Sequence, residues 1–341
     1  MTTSATQPRK GGAWMWLGLC GVLALSITSM MVGKYGAGPV VLFGTAKAAL
    51  TGGDVDPILS TVLWNVRLPR VLAGLCVGAA LSAAGATYQG LFRNPLVSPD
   101  ILGVSAGASL GAVLGIFLSL PVIAIQLLGF AGGLLAVTAV YAVGATIRGR
   151  DPVLTLVLAG VAIGALVGAG ISLIKILADP YDQLPAITYW LLGSLTAVTR
   201  FDVLSILPAL IIGVIPLVLL RWRMNVMTLG DDEAQTMGID TFRTRALLIA
   251  AATLITAASV SVTGIIGWVG LIVPHIARML VGPDFRKLLP ASMMLGGAYL
   301  LVVDMLARSI ALIEVPLGIL TAAVGAPFFL WLLAAGKRGW Q

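Results

Sequence analysis

Apolar residues in this chain fall in long unbroken runs rather than at alternating positions. Stretches free of Asp, Glu, Lys and Arg extend over Gly11–Gly33, Val71–Phe92, Ile101–Ile147, Pro152–Ile174, Val203–Leu220, Ala246–Ala277, Leu288–Val303 and Val315–Gly336. A bilayer core about 30 Å thick is crossed by roughly 20 helical residues, and about 17 are tolerated. Each run therefore predicts one crossing, except two that are long enough for a pair. Ile101–Ile147 turns at Pro121, and Ala246–Ala277, continued to Val281, breaks at Gly264 and Gly267. The pattern predicts an all-α integral membrane protein of about ten transmembrane helices. A closed barrel would need polar residues at alternate positions, which these runs lack. The shorter run Val40–Leu50 predicts a segment lying along the membrane surface.

Composition agrees: 59% of residues are apolar, 10% are charged and the mean hydropathy is +1.03, which excludes a water-soluble domain. No hydrophilic stretch is long enough for a second domain, so residues 1–341 read as a single transmembrane domain. Cys20 and Cys76 fall in different apolar runs, where a thiol behaves as a small hydrophobe. Arg9 and Lys10 precede an apolar run longer than a signal-peptide core, which reads as an uncleaved first span.

The formal charge of +7 reports topology first. With both termini inside, the inner face carries Arg9, Lys10, Arg93, Arg148, Arg150, Arg221, Arg223, Arg243, Arg245, Arg278, Arg286, Lys287, Lys337 and Arg338. Of the 21 basic residues this leaves Lys34, Lys47, Arg67, Arg70, Lys175, Arg200 and Arg308 outside. The bias follows the positive-inside rule. No basic run exceeds two residues, so no nucleic-acid partner is expected.

The abundant glycines are patterned. Gly103, Gly107, Gly111 and Gly115 recur every fourth position in the third span, and Gly160, Gly164 and Gly168 in the fifth. Such faces either let helix backbones approach closely or line a smooth pathway for a bulky solute. A further echo relates Gly90-Leu91, Pro95 and Ser98-Pro99-Asp100 to Gly270-Leu271, Pro274 and Gly282-Pro283-Asp284. With five spans in each half, related halves would be inverted.

Chemistry is scarce. Gly336-Lys337 lacks the glycine loop and the Ser or Thr of a phosphate-binding P-loop. One histidine, His275, excludes histidine-based metal clusters and triads, and it reads as a structural residue. Near the spans lie Lys175 and Asp304, with no motif around them. Asp304 precedes Arg308 by four residues, a spacing that places them on one helix face as an ion pair. Ion-coupled carriers bury titratable groups at the midplane. That scarcity predicts a chain that is not an enzyme and draws its energy from another subunit.

Two surfaces offer themselves for partners. In the loop after the sixth span, Thr228-Leu229-Gly230-Asp231 fits a capping box, Asp231, Asp232 and Glu233 favour a helix N-terminus, and Gly238 fits a left-handed C-cap. This segment, within 228–240, reads either as a coupling helix for an ATPase or as a well-capped surface loop. On the outer face, Arg67, Arg70 and Arg308 match carboxylates of a partner or phosphates of membrane lipid.

The motifs together resemble the FecCD group, the permeases of type II ABC importers for iron-siderophore complexes, haem and cobalamin. They are RLPR at 67–70, GAALSAAGATYQGLFRNPLVSPDILGVSAGA at 78–108, LAGVAIG at 158–164, LGDDEAQTMGI at 229–239, GWVGLIVPHIARMLVGPDFRKLLPAS at 267–292 and VPLGILTAAVGAPFFLWLL at 315–333. The resemblance implies a fold like that of the cobalamin-importer permease, with two inverted five-helix halves. It implies a homodimer in the bacterial inner membrane with the pathway at the subunit interface, two ATP-binding subunits that hold ATP and Mg, and an extracytoplasmic substrate-binding protein. This chain itself would carry no cofactor. Arg67, Arg70 and Arg308 would dock the two lobes of the binding protein, and Gly230, Asp231, Asp232, Glu233 and Gly238 would form the coupling helix. Asn94, Leu96, Val153 and Leu154 would sit at cytoplasmic gates, the last pair departing from the small polar residues of some members. The implied cargo is an iron chelate, siderophore or haem; cobalamin and molybdate or tungstate are the alternatives, since Asp179–Leu192 resembles both iron-type and oxyanion-type members. A secondary carrier ranks below these.

Overall fold

A computed structural model describes residues 13–33, 38–51, 56–146 and 152–335, and every described element is helical. The basic residues Arg9, Lys10, Lys34, Arg148, Arg150, Lys337 and Arg338 lie outside this set. The chain runs through α1 (Ala13–Met31), α2 (Pro39–Thr51), α3 (Pro57–Ser60), a π-helical stretch Thr61–Arg67, α4 (Leu68–Leu91), a 3-10 turn Pro99–Leu102, α5 (Val104–Phe117), α6 (Val122–Thr146) and α7 (Pro152–Leu177). It continues through α8 (Gln183–Leu191), α9 (Arg200–Leu219), α10 (Arg221–Met227), α11 (Asp231–Thr236), α12 (Thr241–Thr263), α13 (Val269–Val281), α14 (Phe285–Ser309) and α15 (Leu317–Ala335).

Seven of these helices are long and apolar enough to span a membrane, and α5, α13 and α15 are shorter apolar helices, which together match the expected ten. They divide into two series of like order. α1, α4, α5, α6 and α7 run to 19, 24, 14, 25 and 26 residues, and α9, α12, α13, α14 and α15 to 20, 23, 13, 25 and 19. In both series the third helix is short and follows a break. An odd number of crossings per series makes the second the inverse of the first. The echoed segments do not follow this order: Gly90–Asp100 closes α4 and the break after it, whereas Gly270–Asp284 spans α13 and the turn beyond. That echo is therefore not the trace of the repeat.

At 1.5 Å per residue, α13 covers only about 20 Å, less than the hydrocarbon core. The break before it, Gly264 to Trp268, is tolerable in a membrane only where protein covers its backbone. Such cover exists: the Ser194 amide donates to the Thr263 carbonyl (2.7 Å), and the Leu317 and Gly318 amides donate to the carbonyls of Gly193 and Leu192 (both 2.9 Å). The segment between α8 and α9 thus plugs the break.

The span containing α4 is the centre of the bundle: 78% of it is buried, against 11% for α1 and for α7. It packs against α14, α12, α13 and α9. Glycine makes these approaches possible. A methyl group at Gly85 would overlap the backbone of Gly270 in α13, and one at Gly78 would overlap Gly296 in α14. Gly107 and Gly111 likewise face the backbone of α6, and Gly115 faces Ile125 (3.1 Å from an added Cβ), so the third-span stripe is a packing face. Gly160 packs on Ile101, whereas Gly164 and Gly168 have open space beside them. α2 is a 13-residue, largely exposed helix, too short to cross. Cys20 is exposed and Cys76 half-buried, on different helices.

Candidate functional site

At one end of the bundle, the start of α4 meets the end of α14. The guanidinium of Arg70 donates through Nε to Asp304 Oδ1 (2.6 Å) and through Nη1 to Glu314 (3.0 Å to Oε1). Arg308, one turn beyond Asp304, brings Nη2 to 3.0 Å from its other oxygen without hydrogen-bond alignment. Arg308 also donates to the Ser29 hydroxyl (2.8 Å) and the Val32 carbonyl (2.9 Å) at the end of α1. Arg67 donates to the Met30 carbonyl (2.7 Å) of the same helix end. It ends the π-helical stretch, whose last bond runs from the Leu68 amide to the Leu63 carbonyl. Three guanidiniums and two carboxylates thus bind α1, α4, α14 and the loop before α15 into one cluster. The Asp304–Arg308 pair is as the spacing predicts.

Burial is the unexpected feature. Arg67 and Arg70 are 4% exposed, Arg308 8% and Asp304 0%. The three arginines are therefore engaged inside the chain rather than displayed on its surface. Sequence reasoning missed Glu314, the group that links Arg70 to the neighbouring loop. Thr196 donates to it (2.6 Å) from the loop before α9. Burial alone would raise the Glu314 carboxyl, but the Thr196 hydroxyl and the positive charges of Arg70 and Arg308 together hold it below the usual carboxylate range. The one signal available was that Glu314 is an isolated acid six residues after Arg308. Arg200, another outer cation, donates to the Trp64 carbonyl (2.8 and 2.9 Å) in the π-helical stretch.

The scarcity of buried titratable groups is corrected in part. Asp304 is fully buried, and Asp202 is buried at the first turn of α9, accepting from Gln126 (2.7 Å) and Thr199 (2.7 Å). Both carboxylates lie at helix ends and are matched by cations or donors, so neither is an uncommitted midplane group. His275 is buried on α13, its ring edge-on to Phe328 at 6.4 Å. Lys175 is half-buried in the last turn of α7.

At the opposite end, α10 and α11 form a small angular unit. Gly230 precedes α11 with φ +141, a backbone that favours glycine, and an added Cβ would run into the Glu233 carboxylate. Asp231, Asp232 and Glu233 occupy the first turn of α11. Gly238, φ +81, ends it in a Schellman motif: Gly238 N–H donates to Gln235 and Ile239 N–H to Ala234. The expected capping role of Thr228 is corrected. Its hydroxyl donates back to the Asn225 carbonyl (2.6 Å) and closes α10, and no side chain caps α11. Two clamps tie the unit down. Asp231 accepts from Arg245 in α12 (2.7 and 3.0 Å), and the Asn225 side chain donates to Asp284 (2.7 Å) while accepting from the Phe285 amide (2.8 Å) at the start of α14. The Arg286 amide, the Asn225 amide and the nearby cations hold the Asp284 carboxyl below its ordinary value. Phe285 in turn packs on Gly90 at the end of α4.

Asn94 and Leu96 are exposed in the break after α4, where the Asn94 side chain accepts from the Leu96 amide (2.9 Å). Val153 is half-buried and Leu154 exposed in the first turn of α7. Alternation of the spans places both pairs at the end that carries α10 and α11.

A bundle of seven spanning helices and three shorter apolar ones, with a buried central helix, broken third helices and a clamped helix pair at one end, defines a multi-pass membrane protein. The chain belongs to the FecCD transport family, whose model matches residues 21–335. It is 44% identical over 319 residues to the cobalamin import system permease protein BtuC of Halobacterium salinarum, covering 91% of this chain and 85% of that one. It is 36% identical over 316 residues to the molybdate import system permease protein MolB of Haemophilus influenzae, covering 92% and 93%. The solved structure of a metal-chelate type ABC transporter in an inward-facing conformation matches with a TM-score of 0.85 at 33% identity, covering 94% of this chain and 99% of that one. The chain is thus an ABC importer permease of the FecCD type.

Proposed function

We propose that this chain, as a single membrane domain over residues 1–341, carries an iron chelate, siderophore or haem, across the bacterial inner membrane. The observation that carries the cargo reading is the exposed face of α7. From Thr155 to Ile174 it holds no charge, and Gly164 and Gly168 leave it smooth. A small oxyanion needs donors or cations along its route, whereas a bulky chelate that shields its metal needs width and weak contact. Cobalamin meets the same description and is the second reading, favoured by the halobacterial relative. Molybdate fits that wall less well.

The working assembly in this reading is a homodimer with the pathway at the subunit interface, two ATP-binding subunits holding ATP and Mg, and an outer binding protein. Both termini lie in the cytoplasm. This chain is not an enzyme and carries no cofactor of its own. Arg67, Arg70 and Arg308 receive carboxylates of the binding protein only by giving up internal partners, and Glu314, whose side chain is 29% exposed, is the partner of Arg70 that such a carboxylate displaces most readily. Gly230, Asp231, Asp232, Glu233 and Gly238 transmit ATPase closure. The clamps from Asp231 to α12 and from Asn225 to α14 support that role, since they route a push on α11 into helices packed around α4. Asn94, Leu96, Val153 and Leu154 line the inner gate.

Proteoliposomes holding this chain and its ATPase, supplied with the binding protein, test the reading. ATP-dependent uptake of a ferric chelate in preference to cobalamin and molybdate is the expected result. Accumulation driven by a proton or sodium gradient with no ATPase present would refute it.

A further inference from the structure

Between α6, α9 and α12 runs a groove of about 630 Å³, lined by Leu134, Tyr141, Pro216, Leu247, Ala250 and Leu254 among others. Its volume falls within the roughly 300–1,000 Å³ of sites that hold small molecules. The walls are apolar but for a few hydroxyl groups, so water is a poor filler. Among the described residues, cations stand beside the end of the groove that lies near the start of α12 and the end of α9. On α12, Arg243 lies three and four residues before Ala246 and Leu247, both of which line the groove, and so shares their helix face. Its side chain is 86% exposed, with an ion pair to Asp240, the N-cap of α12. Phe242, the residue before it, packs against Tyr141, which lines the groove (ring centroids 6.3 Å). Just beyond Pro216, α9 ends at Leu219, and the exposed Arg221 and Arg223 open α10. Arg245, on the same helix, is bound through Nη2 to Asp231.

We propose that this groove binds an anionic phospholipid, with an acyl chain lying between α6, α9 and α12 and the phosphate held by Arg243 and Arg221. An apolar trough beside guanidiniums at the arginine-rich face is complementary to that molecule and favours it over a lipid with no net charge. The site is separate from the buried arginine cluster and from α11, and it does not depend on the cargo. Because the arginines are exposed, the headgroup preference weakens as salt rises.

Native mass spectrometry of the purified chain, offered equal amounts of phosphatidylglycerol and phosphatidylcholine, reads the preference directly. Wild type is expected to retain phosphatidylglycerol selectively. Arg243→Ala and Arg221→Ala should each reduce the preference about fivefold, and Ala250→Trp, which fills the groove, should remove retention of both lipids. A diazirine-bearing phosphatidylglycerol needs no variant: on wild type it should label α6, α9 and α12. Equal retention of the two lipids by wild type, unchanged preference in the arginine variants, or labelling elsewhere would overturn the proposal. So would a change of oligomeric state, rather than of lipid preference, in the arginine variants, which would assign the face to a second copy of the chain.

Discussion

Asp304→Asn removes one negative charge while preserving shape, and its consequence follows from the two guanidiniums that share the carboxylate. Asp304 is 0% exposed, with Arg70 at 2.6 Å and Arg308 at 3.0 Å. Removing one partner of a buried ion pair costs about 3–5 kcal/mol, because the other charge stays buried without compensation. Here both cations retain other acceptors, Glu314 for Arg70 and Ser29 and Val32 for Arg308, so the lower bound applies, about 3 kcal/mol. Glu314→Gln acts on a side chain 29% exposed and leaves Arg70 paired with Asp304, and should cost about 1 kcal/mol. Adding Arg308→Met to Asp304→Asn removes a buried cation that has lost its carboxylate and should restore part of the loss, giving a coupling of about 1–3 kcal/mol. Equilibrium unfolding in mixed detergent micelles, followed by the fluorescence of the eight tryptophans, measures all five proteins, the single variant Arg308→Met included. An Asp304→Asn variant within about 0.5 kcal/mol of wild type, or a double variant worse than the sum of its parts, would refute the reasoning.

Other expectations follow from the same contacts. Gly230→Ala forces a side chain into a φ of +141 against Glu233 and should lower uptake per ATP hydrolysed severalfold with little change in expression; a normal ratio in proteoliposomes would exclude α11 from coupling. Gly85→Ala should cost several kcal/mol in the same unfolding assay through its overlap with Gly270, whereas Gly164→Ala, with open space beside it, should leave the monomer's stability within about 0.5 kcal/mol. Because the folded Glu314 carboxyl lies below its unfolded value, its contribution is present at neutral pH and is lost as pH falls through the folded value. The stability gap between wild type and Glu314→Gln should therefore be flat from about pH 6 to 8 and close below about pH 4; a gap that widens in acid would reverse the sign.

Span positions, the break at Gly264, the acidic first turn of α11 and its glycine end were legible in the amino-acid order, because each depends on a local property. Hydropathy sums along a run, and a cap depends on residues within one turn. Thr228 shows where even that reading slips, since the same hydroxyl can start one helix or close the one before it. The engagement of the arginines was not legible. Arg67, Arg70 and Arg308 lie where an outward-facing role is natural by charge, yet their partners come from Met30, Asp304, Glu314 and Ser29, up to 279 residues away. The glycine stripes divide for the same reason: Gly111 and Gly164 have similar surroundings in sequence, but one meets the α6 backbone and the other open space. Sequence alone determined that this chain lives in a bilayer and which segments are apolar enough to enter it, because water-to-lipid transfer acts on each segment separately. Only the tertiary arrangement decided which charges are neutralised and which faces stay open, because those depend on which helices become neighbours.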